Sequence, residues 1–217
     1  MFMANNEIYL EIKKRIIYLD YRPHQVLSIK ELAREFGVSP IPIREVLVLL
    51  EVEKLVRIIP NNGIYVPDVS FQDLKDVFEV RHYLVGLSGR LAAERITTEE
   101  LEKIKELLEK IKREKDRKEL IKLDSEFHNI VNYSTKNKTL AETLERLRNQ
   151  IGRLWFFAKE NDPYPSQIPK NFEDLINALE QRDSDQCEQI LRRHAMHFIN
   201  QIKDNLYVEV KDTSSFT

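Results

Sequence analysis

The stretch from Ser28 to Leu50, SIKELAREFGVSPIPIREVLVLL, constrains this chain more than any other. It predicts two short helices joined by a tight turn. Ser28 and Glu31 have capping-box spacing, so a helix is expected to start at Lys30. Leu32, Ala33 and Phe36 give that helix one apolar face. Gly37 supplies the backbone freedom the turn requires, and Val38 is expected to plug the angle between the helices. Ser39 is expected to cap the second helix, with Pro40 at its first position, where a missing N–H does no harm. Ile43, Val46, Leu47 and Leu50 recur at helical spacing and face inward, which leaves Ser39, Ile41, Arg44 and Val48 near the outer face. Two helices joined in this way form a helix-turn-helix, whose second helix can enter the major groove of DNA.

Leu55–Ile59 and Ile64–Val69 are short runs rich in Val and Ile, and Pro60-Asn61-Asn62-Gly63 between them is strong turn chemistry. A helix-turn-helix followed by a hairpin is a winged helix. The plainer alternative is a small helical core with an incidental hairpin.

The chain has 217 residues, enough for one large or two modest domains. With 42% hydrophobic and 32% charged residues it can bury a core and remain helix-rich and soluble. No apolar run is long enough to span a membrane, and MFMANNEIYLEIKK lacks the apolar core of a signal peptide. A single cysteine, Cys187, makes a reducing cytoplasm the expected location. The formal net charge is −2, and residues 1–70 carry nine basic and nine acidic side chains. A neutral DNA-binding domain must place its cations locally, and it gains from dimerising, because phosphate affinity depends on contacts made.

Ile8, Ile12, Ile16 and Leu19 predict a first helix over residues 5–19, broken by Tyr21-Arg22-Pro23. Pro67 and Asp68 close the hairpin and Ser70 is expected to cap the next helix. From Phe71 onward the apolar period is 3.6, predicting six helices at roughly 71–95, 98–115, 117–134, 138–159, 166–181 and 184–206. Thr97 and Glu100 make another capping box. Asn161-Asp162-Pro163-Tyr164-Pro165 is a break. The charge-laced segment 101–122 is expected to form a solvated outer helix, and Val208–Thr217 ends polar. The expected fold is therefore mainly α: a winged helix-turn-helix with a small hairpin wing over residues 1–69, then an all-α antiparallel bundle over 70–217.

These residues resemble the GntR family of bacterial transcription regulators. The match runs from Leu27 through residues 31–39, 42–51, Leu55-Val56 and the Pro60/Gly63 wing. The second half resembles the FCD effector domain of the FadR subfamily, in Phe78-Glu79-Val80-Arg81, Asp124, Phe127-His128, Asn137, Leu140, Ala178-Leu179, Asp183 and His194. The resemblance implies a DNA-binding regulator, expected to repress, that pairs as a homodimer on a palindromic operator. It also implies control by a small carboxylate effector bound in the helical half. Arg44 and Lys30 fall on DNA-contacting positions. With Ser39, Ile41, Asn62 and Gly63 they form the expected DNA-contacting set. The sequence departs from the family at Pro40, where an Arg is usual, at Lys54, where a Gly is usual, and in the loop after the first helix, where a Gly is missing.

Asp124 and His128 are four apart on a predicted helix and share one face; alone, such a pair is more often an incidental hydrogen bond. Many FCD domains hold a divalent metal with one Asp and three His, so the resemblance makes Asp124, His128 and His194 candidate ligands of zinc or nickel. The fourth family place falls on Phe172, which cannot ligate, leaving water or the effector to complete the shell. The alternative is a buried polar network without metal. His197, one turn beyond His194, is a candidate substitute, and His82 is expected to be structural. Arg81 is placed to clamp a carboxylate bidentately; an ion pair with a neighbouring acid is the competing role. Trp155, Phe156 and Phe157 are expected in the core or a dimer seam, and Cys187 as a buried thiol.

Two other functions compete. One is a metal-dependent helical enzyme with a DNA-binding appendage, but HExxH, nucleophile-elbow and phosphate-loop motifs are missing from the sequence. The other is a winged-helix module that binds protein.

Overall fold

A computed structural model describes residues 2–60, 63–68, 70–152 and 168–197, with the side chains of 2–4, 71 and 151 left aside. The chain divides into two units. One comprises Met1–Leu74 with Arg148–Phe157, the other Lys75–Leu147 with Ala158–Thr217.

The first unit is built on α1 (Phe2–Ile17), α2 (Ile29–Glu35) and α3 (Pro40–Val52). Ile8, Ile12 and Ile16 of α1 bury against Ile43, Val46, Leu47 and Leu50 of α3, all in one apolar core with Leu55, Val56 and Val66. α2 starts at Ile29, one residue before the expected start, and the Ser28 hydroxyl accepts from the Glu31 amide at 3.3 Å. Gly37 turns the chain with φ 64°, and Val38 packs against the core beside it. Arg15 ties α1 to the turn: it pairs with Glu11 and Glu35, donates to the Tyr21 hydroxyl, and lies over the rings of Tyr21 and Phe36.

Three findings refine the sequence reading. The expected wing hairpin is present, and a third short strand joins it to make a three-stranded sheet. β1 (Val26–Leu27), β2 (Arg57–Ile59) and β3 (Gly63–Tyr65) run in the order β1-β3-β2, all antiparallel, with Leu27 opposite Ile64 and Ile58 opposite Ile64. Two residues are too short to show strand alternation; β1 forms because β3 offers it an unpaired edge. α1 ends at Ile17, ahead of Tyr21-Arg22-Pro23, and Leu19 (φ 59°) and His24 (φ 64°) turn the adjoining loop without a glycine. Ser39 occupies the N-cap of α3 but its side chain makes no capping hydrogen bond. The third helical residue is Pro42, which has no N–H to donate.

The second unit holds most of α4 (Phe71–Arg95), α5 (Thr98–Arg113), α6 (Arg117–Ser134), most of α7 (Lys138–Gly152), α8 (Ile168–Glu180) and α9 (184–197), six helices among the described residues. Ser70 caps α4, its hydroxyl accepting from the Asp73 amide at 3.0 Å. The Thr97/Glu100 capping box at α5 is complete. Residues 101–113 are outer only on one side. Ile104, Leu107, Leu108 and Ile111 are buried, and α5 packs on α6 and α8. α4 and α9 approach closely: a Cβ at Gly89 would lie 2.6 Å from the Cys187 carbonyl oxygen. The break at 161–165, the aromatic run 155–157 and residues 198–217 lie outside the described residues.

Candidate nucleic-acid interface and candidate metal centre

On α3 the inward residues of the apolar period are buried, and Ser39, Ile41, Arg44 and Val48 are exposed. Lys30 at the start of α2 is exposed, and so is Gly63, with φ 108°, at the start of β3. Asn62 lies outside the described residues. Glu45 also faces outward, four residues after Ile41, and accepts from the Asn5 amide at 3.0 Å. The expected DNA-contacting set omits this carboxylate, although the i,i+4 spacing from Ile41 identifies it. Pro40 replaces a cation with an apolar ring at the helix start.

At the family's glycine position, Lys54 adopts φ 61°. It follows α3 directly, where the chain must reverse into β2. The backbone there needs the left-handed conformation, which costs a side-chain-bearing residue roughly 1–2 kcal/mol.

Inside the second unit, α6 brings Asp124 and His128 to one buried face and α9 brings His194 to meet them. One ligand atom from each of the three lies within 4.8 Å of the others. His128 Nε2 faces His194 Nε2 at 3.1 Å and Asp124 Oδ2 at 3.9 Å. A tetrahedral ion bound at about 2.0–2.1 Å needs its nitrogen ligands about 3.3 Å apart, so the three residues fit a small divalent ion held from one side. Phe172 of α8 stands against both imidazoles. Its ring stacks on Phe127 (centroids 3.9 Å apart, 8° between planes) and stands 5.5 Å from the ring of His128 and 5.2 Å from that of His194.

The electrostatics hold His194 neutral. Burial foremost, then the charge of Arg81 and that of His197, push its pKa down to about 3. A neutral imidazole is the form that ligates metal. Its Nδ1 is buried with no hydrogen-bond partner among the described residues. Arg81 is buried on α4. His197 is exposed and stands outside the candidate ligand group, which corrects its expected role as a substitute. His82 is half-buried, its ring edge-on to Tyr83. Cys187 is fully buried, and burial pushes its thiol up to about 12, as expected of an inert core cysteine. Ser88 of α4 donates to Asn132 of α6 at 2.9 Å, a buried pair that neither residue's sequence context signals.

An exposed recognition helix beside a small wing, on a chain that continues into a helical bundle with a polar centre, defines a DNA-binding transcription regulator with a sensor domain. The chain belongs to the GntR family of bacterial transcription regulators, in its FCD-containing branch. The model described as "Bacterial regulatory proteins, gntR family" matches residues 4–66 and that of the FCD domain matches residues 76–197. The transcriptional repressor RspR of Escherichia coli K12 is 25% identical over 203 residues, covering 92% of this chain and 89% of that protein. The Nta operon transcriptional regulator of Aminobacter aminovorans is 28% identical over 185 residues, 84% of this chain and 86% of that one. The solved structure of E. coli McbR/YncC shares the fold, with a TM-score of 0.82 at 23% identity over 94% of this chain and 98% of that one. These families and relatives are regulators, not enzymes. FCD domains often bind metals, and the Asp124–His128–His194 cluster is a possible site. No helix among the described residues is long and apolar enough to cross a membrane.

Proposed function

We propose that this protein is a homodimeric cytoplasmic repressor whose grip on a palindromic operator is set by a small carboxylate bound in the helical bundle. Residues 1–69 read DNA; residues 70–217 sense the effector and pair the chains. Arg44 reads a base edge from the outward face of α3, Lys30 and Ser39 reach phosphates, Ile41 enters the groove, and Asn62 and Gly63 complete the contacting set. A near-neutral winged helix makes too few phosphate contacts for tight binding alone, and a dimer doubles them.

The observation that carries the control half is the convergence of one carboxylate and two imidazoles inside an apolar bundle. Burying such groups is costly unless they are compensated, and one cation compensates all three. Asp124, His128 and His194 would hold zinc or nickel, and the ion would supply positive charge for a carboxylate. Phe172 closes the fourth position to the protein and leaves it to the ligand. Arg81 holds the far end of the acid. Effector binding then controls the operator through whatever preference it has between arrangements of the two domains.

Protein purified without chelators is expected to carry about one zinc or nickel per chain by elemental analysis, as a site of deprotonated, preassembled ligands should. Chelation is expected to change its affinity for duplexes selected from a random library. A second reading rests on the 3.1 Å approach of the two imidazoles, which is itself hydrogen-bond distance: a metal-free polar pocket that binds the acid directly. Metal-free protein with chelator-insensitive DNA binding would select it.

A further inference from the structure

The first turn of α3 is built differently from an ordinary helix start. Pro40 and Pro42 have no N–H, so of the first four helical residues only Ile41 and Ile43 keep a donor. The backbone is correspondingly poor at holding a phosphate, and side chains must do more of the reading. Ile41 is 66% exposed, while Ile43 beside it is fully buried. Ile41 stands one turn before Arg44, and the two share the outward face with Val48.

A lone exposed Ile needs no explanation. This one is placed where recognition helices reach base edges, at the N-terminal end. Its branched Cβ limits the rotamers it samples, so it projects as a fixed apolar knob. The apolar feature that a base pair shows in the major groove is the C5 methyl of thymine. Three residues along a helix advance about 4.5 Å, against 3.4 Å for each base step of a DNA strand.

We propose that Ile41 reads the C5 methyl of a thymine lying within about two base pairs of the guanine read by Arg44. This rests on α3 being the DNA-reading helix. Each half-site of the operator then contains a guanine and a nearby thymine that a cytosine or uracil cannot replace without loss.

The full-length protein is used to select duplexes from a random library, and the winning duplex is resynthesised with deoxyuridine at one thymine position at a time. That exchange removes only the methyl. One thymine per half-site is expected to lose about fourfold in affinity on exchange, the value of one buried methyl group. Ile41→Ala is expected to bind thymine and uracil duplexes equally at that position, and Arg44→Ala to keep the difference. Ile41 is exposed, so the thermal midpoint of Ile41→Ala should match that of the unsubstituted protein. Uracil tolerated at every position, or an Ile41→Ala variant still sensitive to the methyl, overturns the assignment while leaving DNA reading by α3 intact. A change of sedimentation coefficient in Ile41→Ala, with no change in methyl sensitivity, overturns it in favour of a protein contact. If no duplex is enriched, the DNA reading falls and the methyl contact falls with it.

Discussion

The outward face of α3 and the centre of the helical bundle carry chemistry in opposite ways. The α3 face draws its residues from about two and a half turns of a single stretch, Ser39 to Val48, exposes them, and spends no folding energy on them. The bundle centre draws Asp124, His128 and His194 from helices 66 residues apart at the His–His pair, and buries all three. The first surface can change its specificity with little effect on stability. The second couples what it binds to how well the unit folds, since a ligand that binds only the native state stabilises it.

The sharpest break between the two regions is expected from removing one ligand. His128→Ala should abolish metal uptake. It should also erase the stabilisation that metal gives the unsubstituted protein, about 2.7 kcal/mol at a free metal concentration 100 times the dissociation constant. Urea titrations with and without metal measure it. Equal loss of stability under both conditions would make the cluster a structural network and remove the contrast.

Next in size is the pH dependence of the chelated protein. His194 has its folded pKa pushed from 6.5 to about 3, so below pH 6.5 the unfolded chain takes up a proton that the folded one refuses. The neutral imidazole's contribution is therefore intact above pH 6.5 and is lost as pH falls toward 3, at about 1.4 kcal/mol per pH unit. Roughly 2 kcal/mol should disappear between pH 6.5 and 5. A His194→Phe variant should lack that part of the slope in denaturant titrations at the two pH values. The outward face of α3 contains no histidine, and DNA binding by the folded protein should not share the slope.

Arg44→Ala tests the opposite pole. It should weaken the selected duplex by about 1–3 kcal/mol and relax preference at one position per half-site. Folding stability should move by no more than about 0.5 kcal/mol, as for an exposed side chain. Full operator affinity in a folded Arg44→Ala protein would refute the assignment. The smallest effect is expected at Lys54. Lys54→Gly relieves the left-handed strain at φ 61° at the cost of a more flexible unfolded chain, for a net gain of about 0.5–1 kcal/mol. A thermal midpoint that falls would show that the Lys54 side chain contributes more than its backbone costs.

Much of the winged helix and the order of the bundle helices was legible in the residues, because both rest on local rules. Apolar spacing of 3.6 set the buried faces of α3 and α5. Ser28, Ser70 and the Thr97/Glu100 pair marked helix starts, and Gly37 marked the turn. α4 and α6 occupy the spans their periodicity predicts. Asp124 and His128 were paired by their own spacing. His194 was not: only the order of family residues connected it to them.

The tertiary structure was needed for features that depend on groups distant in sequence or on a conflict between neighbours. β1 exists because β3 has an edge to fill, which two residues cannot announce. Ser39 was read as a cap from its own identity, and Pro42 three residues on removed the donor. The left-handed backbone at Lys54 comes from the reversal between α3 and β2, a geometry that propensity alone assigns to glycine. Packing alone decided that Phe172 stacks on Phe127 while standing against both imidazoles, and that His194 sits buried near a buried cation and stays neutral. The sequence by itself determined periodicity, caps and turns, because those interactions close within about four residues along the chain. The third dimension decided burial, facing nitrogens and protonation, because desolvation and charge act through space and depend on which helices pack together.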